Sequence, residues 1–432
     1  MTTCDVIIVG GGPAGLRAAE LVSAAGLRTV LADHKPSVGR KFLVAGRGGL
    51  NLTHSESVEN FPARYGNSPE RWRGLLADFS PDDLRAWAKE LGIETFIGTS
   101  GRVFPESKQA APLLRRWIER LRKQGVSFRP RHELTGFRQT SEVAAAVPSG
   151  GTDRQSTSNK ASAARDSGGY LGSSWEMTFT SPQGEVNFQA RAVIFALGGA
   201  SWPQTGSDGG WVKLFSEAGI PITPLTPANC GYEVDWPESF LARAEGLPLK
   251  NIIVRAEGES VAGELLITKY GIEGGAIYQL GRILRTMIKP QITLDLKPAF
   301  SLDQLMLKLQ AATGKQSLVE KAARAWRLNK AAQALLEVHA PFDSAEKIVT
   351  LARAFPLPLR GPRPIDEAIS TAGGVPWAEL DDHLMLKPHP GLFCAGEMID
   401  WDAPTGGYLL QGCFSTATRA AQGVQQFFNR KT

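Results

Sequence analysis

The segment from residue 5 to residue 33 constrains the fold more than any other part of this chain. Residues 5–9 (DVIIV) are a β-branched run that predicts a strand buried on both faces of a parallel sheet. Residues 10–15 (GGGPAG) follow directly and fit G-x-G-x-x-G, and residues 13–25 then show helical spacing before Gly26. A second predicted strand, residues 28–33, ends on Asp33. This order is typical of a dinucleotide-binding fold, and an ordinary glycine turn is the alternative.

Each residue of this turn has a predicted task. Gly10 permits the tight turn, Gly12 lets the main chain approach a pyrophosphate, and Gly15 brings helix and strand together. Free N–H groups at the helix N-terminus stabilise an anion. The carboxylate of Asp33 is expected to accept hydrogen bonds from a ribose. The predicted contacts in this segment are Gly10, Gly12, Pro13, Ala14, Gly15, Asp33 and His34.

A second stretch rich in glycine and cations follows the acid. It comprises residues 39–41 (GRK) and 46–51 (GRGGLN). Arginine and lysine make charge-assisted contacts with phosphates, and glycine allows the main chain to approach a planar ring closely. A solvated basic loop is the alternative interpretation. The predicted contacts here are Lys41, Gly46, Arg47, Gly48, Asn51 and Leu52.

Two later strands also end in glycines. Residues 192–197 run into a glycine pair, and residues 391–395 precede Gly396 and Glu397. Residues 405–411 then open an alanine-rich helix that ends near Phe428. A carboxylate at this place could hold a ribityl hydroxyl, and a helix N-terminus could stabilise negative charge on a reduced flavin. Another strand–turn–helix without a ligand is the alternative. The predicted contacts are Gly198, Gly199, Gly396, Glu397, Gly406, Gly407, Tyr408 and Leu409.

Taken together, these segments resemble the two-dinucleotide-fold flavoproteins and, within them, the HI0933-like (BaiN/YhiN-type) FAD-dependent oxidoreductases. The resemblance covers nearly the whole chain. It implies FAD in an extended pose across a domain built from both ends of the chain, with an inserted region over the isoalloxazine. The motifs that carry it are residues 10–15, 39–53, 198–206 (GGASWPQTG), 266–272 (LITKYGI), 371–375 (TAGGV) and 395–411.

The chain departs from the family pattern in two places. Family members often carry Arg-Cys before the asparagine of the second glycine stretch, whereas Gly49 and Leu50 precede Asn51 here. No family thiol is therefore expected beside the flavin. Residues 273–275 read EGG where the family commonly has Ser-Gly-Pro, so the substrate side is expected to differ. The chain resembles a divergent subgroup.

The predicted fold class is α/β, a discontinuous Rossmann-like FAD-binding domain with an inserted β-barrel and helical domain. The FAD-binding domain comprises residues 1–201 and 371–432. Residues 141–174, rich in serine, alanine and glycine, are predicted to be a flexible excursion in a long hairpin. The inserted substrate domain comprises residues 202–370, with helices at about 301–355 that include residues 317–338.

Charge and cysteine content exclude several classes of function. The net charge of +5, from 48 Lys+Arg against 43 Asp+Glu, permits a nucleic-acid partner without demanding one. No apolar run is long enough to span a membrane. The four cysteines form no C-x-x-C pair and the histidines show no metal spacing, so no metal is predicted and a cytoplasmic location is expected.

These patterns predict an FAD-dependent oxidoreductase that passes a hydride between flavin N5 and a small-molecule substrate or NAD(P)H. A separate nicotinamide domain is not expected, because no second G-x-G-x-x-G occurs in the middle region. A flavin-containing RNA-modifying or nucleic-acid-binding protein is the less favoured alternative, and a non-catalytic flavin-binding module is a third. No catalytic residue is assigned, since a general base is identified by its reach and pKa.

Overall fold

The structure is a computed structural model that describes residues 2–45, 48–66, 68–140 and 174–429. Gly46, Arg47 and all but the last residue of the predicted 141–174 excursion lie outside these ranges. In chain order, the strands are β1 (Thr2–Val9), β2 (Thr29–Asp33), β3 (Thr53–His54), β4 (Thr95–Ile97), β5 (Arg102–Pro105), β6 (Ser127–Pro130), β7 (Glu133–Thr140), β8 (Ser174–Ser181), β9 (Gly184–Phe195), β10 (Thr223–Ala228), β11 (Tyr232–Glu233), β12 (Pro248–Ala256), β13 (Glu259–Thr268), β14 (Gly271–Glu273), β15 (Gln291–Asp295), β16 (Phe355–Pro358), β17 (Gly361–Pro362), β18 (Ser370–Gly374) and β19 (Leu392–Cys394). The helices are α1 (Pro13–Ala24), α2 (Arg40–Ala45), α3 (Pro69–Asp78), α4 (Pro81–Glu90), α5 (Ala110–Lys123), α6 (Trp211–Glu217), α7 (Glu238–Ala244), α8 (Gly275–Thr286), α9 (Leu302–Gln310), α10 (Leu318–Trp326), α11 (Lys330–Glu337), α12 (Ala345–Arg353) and α13 (Tyr408–Asn429).

The first sheet contains the four strands predicted from apolar runs that end at a glycine or an acid. Its order is β6-β2-β1-β9-β8-β7, with β19 paired to β9. Strands β2, β1, β9 and β19 are parallel, and Val9 is level with both Ala32 and Phe195, while Cys394 is level with Phe195. Because these strands end together, the loops that follow them meet at one edge of the sheet, where α/β folds bind ligands. The predicted fold class is confirmed.

The antiparallel end of this sheet surrounds the predicted excursion. Strand β7 pairs antiparallel with β8, and the last pair joins Thr140 to Ser174. The two strands are therefore the arms of a hairpin, as predicted. The connection between them, residues 141–173, lies outside the described residues.

A second sheet forms the centre of the inserted unit. Its order is β16-β15-β12-β13-β14-β11-β17, so that β16 and β17 lie at opposite ends. Only residues 359–360 connect these two strands along the chain. The three Cα–Cα steps from Pro358 to Gly361 span at most about 11 Å, so the sheet must curl until its two edges approach each other. This curling gives the inserted unit a barrel-like shape, with helices α7 to α12 packed around it.

The two apolar cores place the first boundary of the inserted unit further along the chain than the predicted residue 202. Helix α6 buries Trp211 and Phe215 in the core of the first sheet, whereas the core of the inserted unit begins at Cys230 and ends at Ala368. Strands β10 and β18 pair as a two-stranded link between the units. The domain limits of 202 and 370 stay a prediction, with this difference at the first limit.

The predicted helix over residues 317–338 is two helices in the structure. Arg327 has a left-handed conformation (φ 51°), which ends α10. Ser317 caps α10, and the Asn329 side chain accepts a hydrogen bond from the Ala332 N–H at 2.9 Å and so begins α11. Because asparagine competes for main-chain N–H groups, it favours a helix start over a helix interior. Of all the helices given above, none is both long and apolar enough to cross a membrane.

A buried carboxylate joins three helices of the first unit. Glu20 on α1 is 4% exposed and accepts hydrogen bonds from the indole N–H groups of Trp87 on α4 (3.0 Å) and Trp117 on α5 (3.2 Å). It also pairs with Arg17 at 3.1 Å and Arg120 at 2.8 Å. The carboxylate thus satisfies four donors, three of which are enclosed by apolar side chains.

Replacing this carboxylate should destabilise the fold strongly. We expect Glu20→Ala to lower the free energy of unfolding by about 3–5 kcal/mol, because it leaves a buried cation and two indole N–H groups without their acceptor. The measurement is urea unfolding. The matched control is Glu119→Ala, which removes an exposed helix pair with Lys123 and should cost about 0.5 kcal/mol or less. Equal effects of the two substitutions would contradict this role for Glu20.

Candidate functional site

One groove follows the edge at which the parallel strands of the first sheet end. It is bounded by the loops after β1, β2, β9 and β19 and by the start of α2. These segments are far apart in the chain, so the groove exists only after the sheet has formed. Of the residues predicted from sequence, the groove is lined by Gly10, Gly12, Pro13, Ala14, Asp33, His34, Lys41, Gly198, Gly396 and Glu397.

The glycines of the first turn serve two different purposes. Gly10 has φ 106°, and a Cβ there would lie 2.2 Å from the carbonyl oxygen of Ala196. A Cβ at Gly15 would lie 1.8 Å from the carbonyl oxygen of Gly10, so both positions are filled by the protein itself. A Cβ at Gly12, by contrast, would meet no atom within 4 Å. Gly12 therefore faces open space in the groove, next to the start of α1, where no side chain caps the helix.

Asp33 is held by the main chain of this turn. Its Oδ2 accepts a hydrogen bond from the N–H of Gly11 at 2.7 Å, and its Oδ1 accepts one from the N–H of Lys35 at 2.8 Å. Burial raises the pKa of Asp33 above its ordinary value, although these two donors lower it. The neighbouring His34 Nε2 is buried, has no hydrogen-bond partner among the described residues, and lies 3.7 Å from the carboxylate of Asp208. Hydrogen bonding of Asp33 to a ribose stays a prediction.

An ion pair crosses the middle of the groove. Lys41 Nζ lies 2.9 Å from Glu397 Oε2 and donates to Ser201 Oγ at 2.7 Å. The other oxygen of Glu397 accepts a hydrogen bond from the N–H of Thr371 at 2.9 Å. These contacts fix the carboxylate that we predict at the ribityl chain. Burial raises the pKa of the nearby Cys413 thiol to about 12, so this thiol stays protonated at neutral pH.

The predicted ring end lies where α13 begins. A Cβ at Gly407 would lie 2.4 Å from the carbonyl oxygen of Thr53, and one at Gly406 would lie 3.4 Å from Arg102 Nε. Asn51 Oδ1 is buried and has no hydrogen-bond partner among the described residues. A buried acceptor without a donor costs free energy, so this atom indicates a missing partner, such as a ligand.

Tyr408, predicted to contact the ring, is occupied by protein groups. Its hydroxyl donates to Glu56 Oε1 at 2.5 Å, and its ring stacks on His54 with centroids 5.2 Å apart. Burial, with the hydrogen bond to Glu56, raises the pKa of Tyr408 above its usual range. Burial also opposes ionisation of Glu56, but hydrogen bonds from Arg64 and Tyr408 lower its pKa overall.

Several predicted residues lie away from the groove. Gly15 packs against the turn itself, and a Cβ at Gly199 would lie 2.4 Å from the side chain of Thr371. Leu52 is fully buried in the core, Gly48 is exposed, and Leu409 is half-buried on α13. The motif at residues 266–272, which carries part of the family resemblance, belongs to the inserted unit. There the hydroxyl of Tyr270 bonds to Glu273 at 2.5 Å, and Arg363 lies 4.4 Å above the Tyr270 ring.

Sequence reasoning missed other residues of the site. Arg102 lies beside Gly406 because β5 pairs with β3, a contact between segments about fifty residues apart that no local pattern indicates. Ser201, in contrast, lies within the motif at residues 198–206, which carries part of the family resemblance. Its hydroxyl accepts a hydrogen bond from Lys41, so this residue of the motif helps to position the lysine. Within the described ranges, no group of three His, Cys, Asp or Glu side chains is arranged to hold a metal ion.

Comparison with known proteins identifies the family. The model of the HI0933-like protein Rossmann domain matches residues 4–176 and 171–423. The chain belongs to the HI0933-like family. This is a family of FAD-binding flavoproteins, and FAD, predicted from the glycine turns, is confirmed as the cofactor. The residues present fit FAD, because the open space at Gly12 suits a pyrophosphate and the unpaired Asn51 oxygen lies at the predicted ring end.

Full-length relatives and solved structures extend this assignment. The chain is 26% identical over 439 residues to the ribosomal RNA dihydrouridine synthase of Escherichia coli K12, covering 98% of each protein. It is 22% identical to the ribosomal RNA dihydrouridine synthase of Haemophilus influenzae, covering 97% of this chain and 98% of the relative. The 3-ketosteroid delta1-dehydrogenase of Sterolibacterium denitrificans has a similar fold (TM-score 0.52, 12% identity), covering 99% of this chain and 100% of that one. The similarity to this dehydrogenase shows that the two chains share a fold.

The open space at Gly12 generates a specific prediction. We expect Gly12→Ala to fold normally, because φ is −77° and the new methyl group meets no protein atom. The methyl group would occupy the space of the pyrophosphate, and overpacking of this kind should weaken FAD binding about 5- to 150-fold. The measurements are titration of apoprotein with FAD and thermal unfolding without FAD.

The matched control is Gly275→Ala, at the first position of α8, where a Cβ also meets no atom within 4 Å. Normal FAD affinity in both variants would show that the pyrophosphate does not lie at Gly12. A loss of apoprotein stability in Gly12→Ala would show that the space is not open.

Proposed function

We propose that this chain reduces a uridine of ribosomal RNA to dihydrouridine, with NADH or NADPH as the electron donor. The observation that carries this proposal is the similarity to two ribosomal RNA dihydrouridine synthases along nearly the full length of both proteins. The inserted unit, which is expected to cover the ring, is therefore common to this chain and those relatives. The structural neighbour that acts on a steroid supports only the fold.

The proposed reaction follows from the electronic structure of uracil. The C5–C6 double bond is conjugated with the C4 carbonyl, so C6 accepts a hydride and C5 accepts a proton. When bound, reduced FAD supplies the hydride from N5, and NAD(P)H restores its two electrons. The balance is one uridine, one NAD(P)H and one proton consumed for each dihydrouridine and NAD(P)⁺ formed.

The chain's own residues are proposed to bind and orient rather than to react. The N-terminus of α1 would bind the phosphates, and the paired Lys41 and Glu397 would hold the chain that links the phosphates to the ring. The N-terminus of α13, which begins after Gly406 and Gly407, carries a partial positive charge toward the predicted ring end. Negative charge that develops there on reduction would be stabilised by this dipole.

The test uses the FAD-loaded protein under anaerobic conditions. We expect NADH or NADPH to bleach the flavin, and unmodified ribosomal RNA transcript to restore its colour. Nucleosides from the digested transcript should then include a uridine that has gained two hydrogens, detected by mass spectrometry. Polyadenylate, which offers no uracil, is the control and should leave the flavin reduced.

Other outcomes identify the alternatives. Restoration of colour by a metabolite extract but not by ribosomal RNA would favour the small-molecule oxidoreductase predicted from sequence. Flavin that neither bleaches with NAD(P)H nor reacts with oxygen after chemical reduction would favour a non-catalytic flavin-binding module. In both cases the proposal is wrong.

A further inference from the structure

The small sheet formed by β3, β5 and β4 presents an unusual set of side chains on one face. His54 pairs with Arg102, and Phe104 pairs with Phe96. Because residues opposite each other share a face and alternate residues of a strand share a face, these four side chains point the same way. Val103, on the opposite face of β5, is fully buried in the protein. All four residues of the first face are, in contrast, partly exposed to solvent.

Aromatic rings and cations alternate along this face. The rings of Phe96 and Phe104 are stacked, with centroids 5.6 Å apart and planes 23° from parallel. The ammonium group of Lys108, which is exposed, lies 5.7 Å from the centroid of Phe96. At the other end, the His54 ring stacks on Tyr408. We call the set His54, Phe96, Arg102, Phe104 and Lys108 the aromatic face.

The aromatic face is continuous with the predicted ring end of the FAD site. A Cβ at Gly49 would lie 3.3 Å from Phe104, and the N–H of Leu50 donates to the carbonyl oxygen of Lys108 at 2.9 Å. Arg102 Nε borders Gly406 at the start of α13. The face therefore borders the position at which a reacting base is expected to meet the flavin.

The cations of this face form no ion pair among the described residues, since neither Arg102 nor Lys108 lies within salt-bridge distance of a carboxylate there. Glu56, which accepts a hydrogen bond from Tyr408 beside His54, is itself paired with Arg64 at 2.7 Å. A surface on which half-exposed aromatic rings lie beside cations without an ion pair is well suited to bind single-stranded nucleic acid. Its bases stack on aromatic rings and its phosphates attract cations.

We propose that the aromatic face binds the unpaired nucleotides that flank the target uridine, an inference that rests on the proposed function. Bases next to the uridine stack on Phe96 and Phe104, while Arg102 and Lys108 contact the phosphates. The bases that stack on these rings fix the path of the RNA across the small sheet. The target base is thereby held beside the ring end of the FAD site.

The first test measures binding and not turnover. A labelled oligouridylate of about ten nucleotides, within the usual site size of single-strand binding proteins, is titrated with FAD-loaded protein and followed by fluorescence anisotropy. Base–aromatic stacking predicts that Phe96→Leu and Phe104→Leu together weaken binding by about fivefold or more. The chain offers a matched control in Phe300→Leu, because Phe300 is also partly exposed and has a lysine, Lys308, 5.0 Å above its ring. This control should bind the oligonucleotide like the wild type.

The second test replaces the cations and leaves the two phenylalanine rings in place. Lys108→Gln should lower the salt dependence of binding, the slope of log K against log[salt], by about 0.7 for one lost phosphate contact on a single strand. Arg102→Gln should do the same. Lys308→Gln is the matched control and should leave the slope unchanged. FAD content and thermal unfolding of each variant confirm that it is folded.

The outcomes separate this inference from the proposed function. If wild-type protein reduces ribosomal RNA but the aromatic-face variants bind oligouridylate with wild-type affinity and salt slope, the inference is wrong and the proposed function stands. If wild-type protein neither binds RNA nor is reoxidised by it, the proposed function itself fails. Weaker binding in the aromatic-face variants alone supports the inference.

Discussion

The geometry of the whole site depends on two close contacts between main-chain atoms just after β1. Gly10 lies against the carbonyl of Ala196 on the β9 side, and Gly15 lies against the carbonyl of Gly10. Since no side chain fits at either position, α1 starts at a fixed distance and angle from the sheet. Helix α1 packs in turn on α13, with a hydrogen bond of 3.3 Å from Arg17 to Thr418. The first turn therefore also positions the helix whose N-terminus forms the ring end.

The carboxylate of Glu397 couples the two units of the protein. It reaches Lys41 in the N-terminal segment and the N–H of Thr371 in β18. Strand β18 pairs with β10, and these two strands connect the inserted unit to the first sheet. One side chain thus contacts the N-terminal segment, the link to the insertion and the groove itself. Because Thr371 helps to fix the acid, the position of this link contributes to the geometry of the groove.

The sequence predicted those parts of the fold and site that local chemistry decides. Apolar runs and the glycines or acid at their ends identified four parallel strands, and their shared edge follows from topology alone. The left-handed Arg327 and the cap at Asn329 were missed, since the apolar spacing of residues 317–338 continues through the break. The hydrogen bonds from the Gly11 and Lys35 N–H groups to the Asp33 carboxylate were also missed. A ribose hydroxyl and a main-chain N–H are both hydrogen-bond donors, so the sequence does not show which of them the carboxylate accepts from.

The features missed at the ring end have a different cause. Arg102, Phe104 and Phe96 come together through β3–β5–β4, a sheet of such short strands that period-two alternation cannot be recognised in the sequence. This sheet belongs to the segment between β2 and β6, whereas the inserted unit is a separate core. The predicted ring position is therefore expected to lie between two parts of the chain that pack separately, the small sheet and the inserted unit. In the proposed function, the aromatic face follows the single RNA strand while the inserted unit covers the target base. This division would let one flavin site act on a substrate far larger than its own cavity.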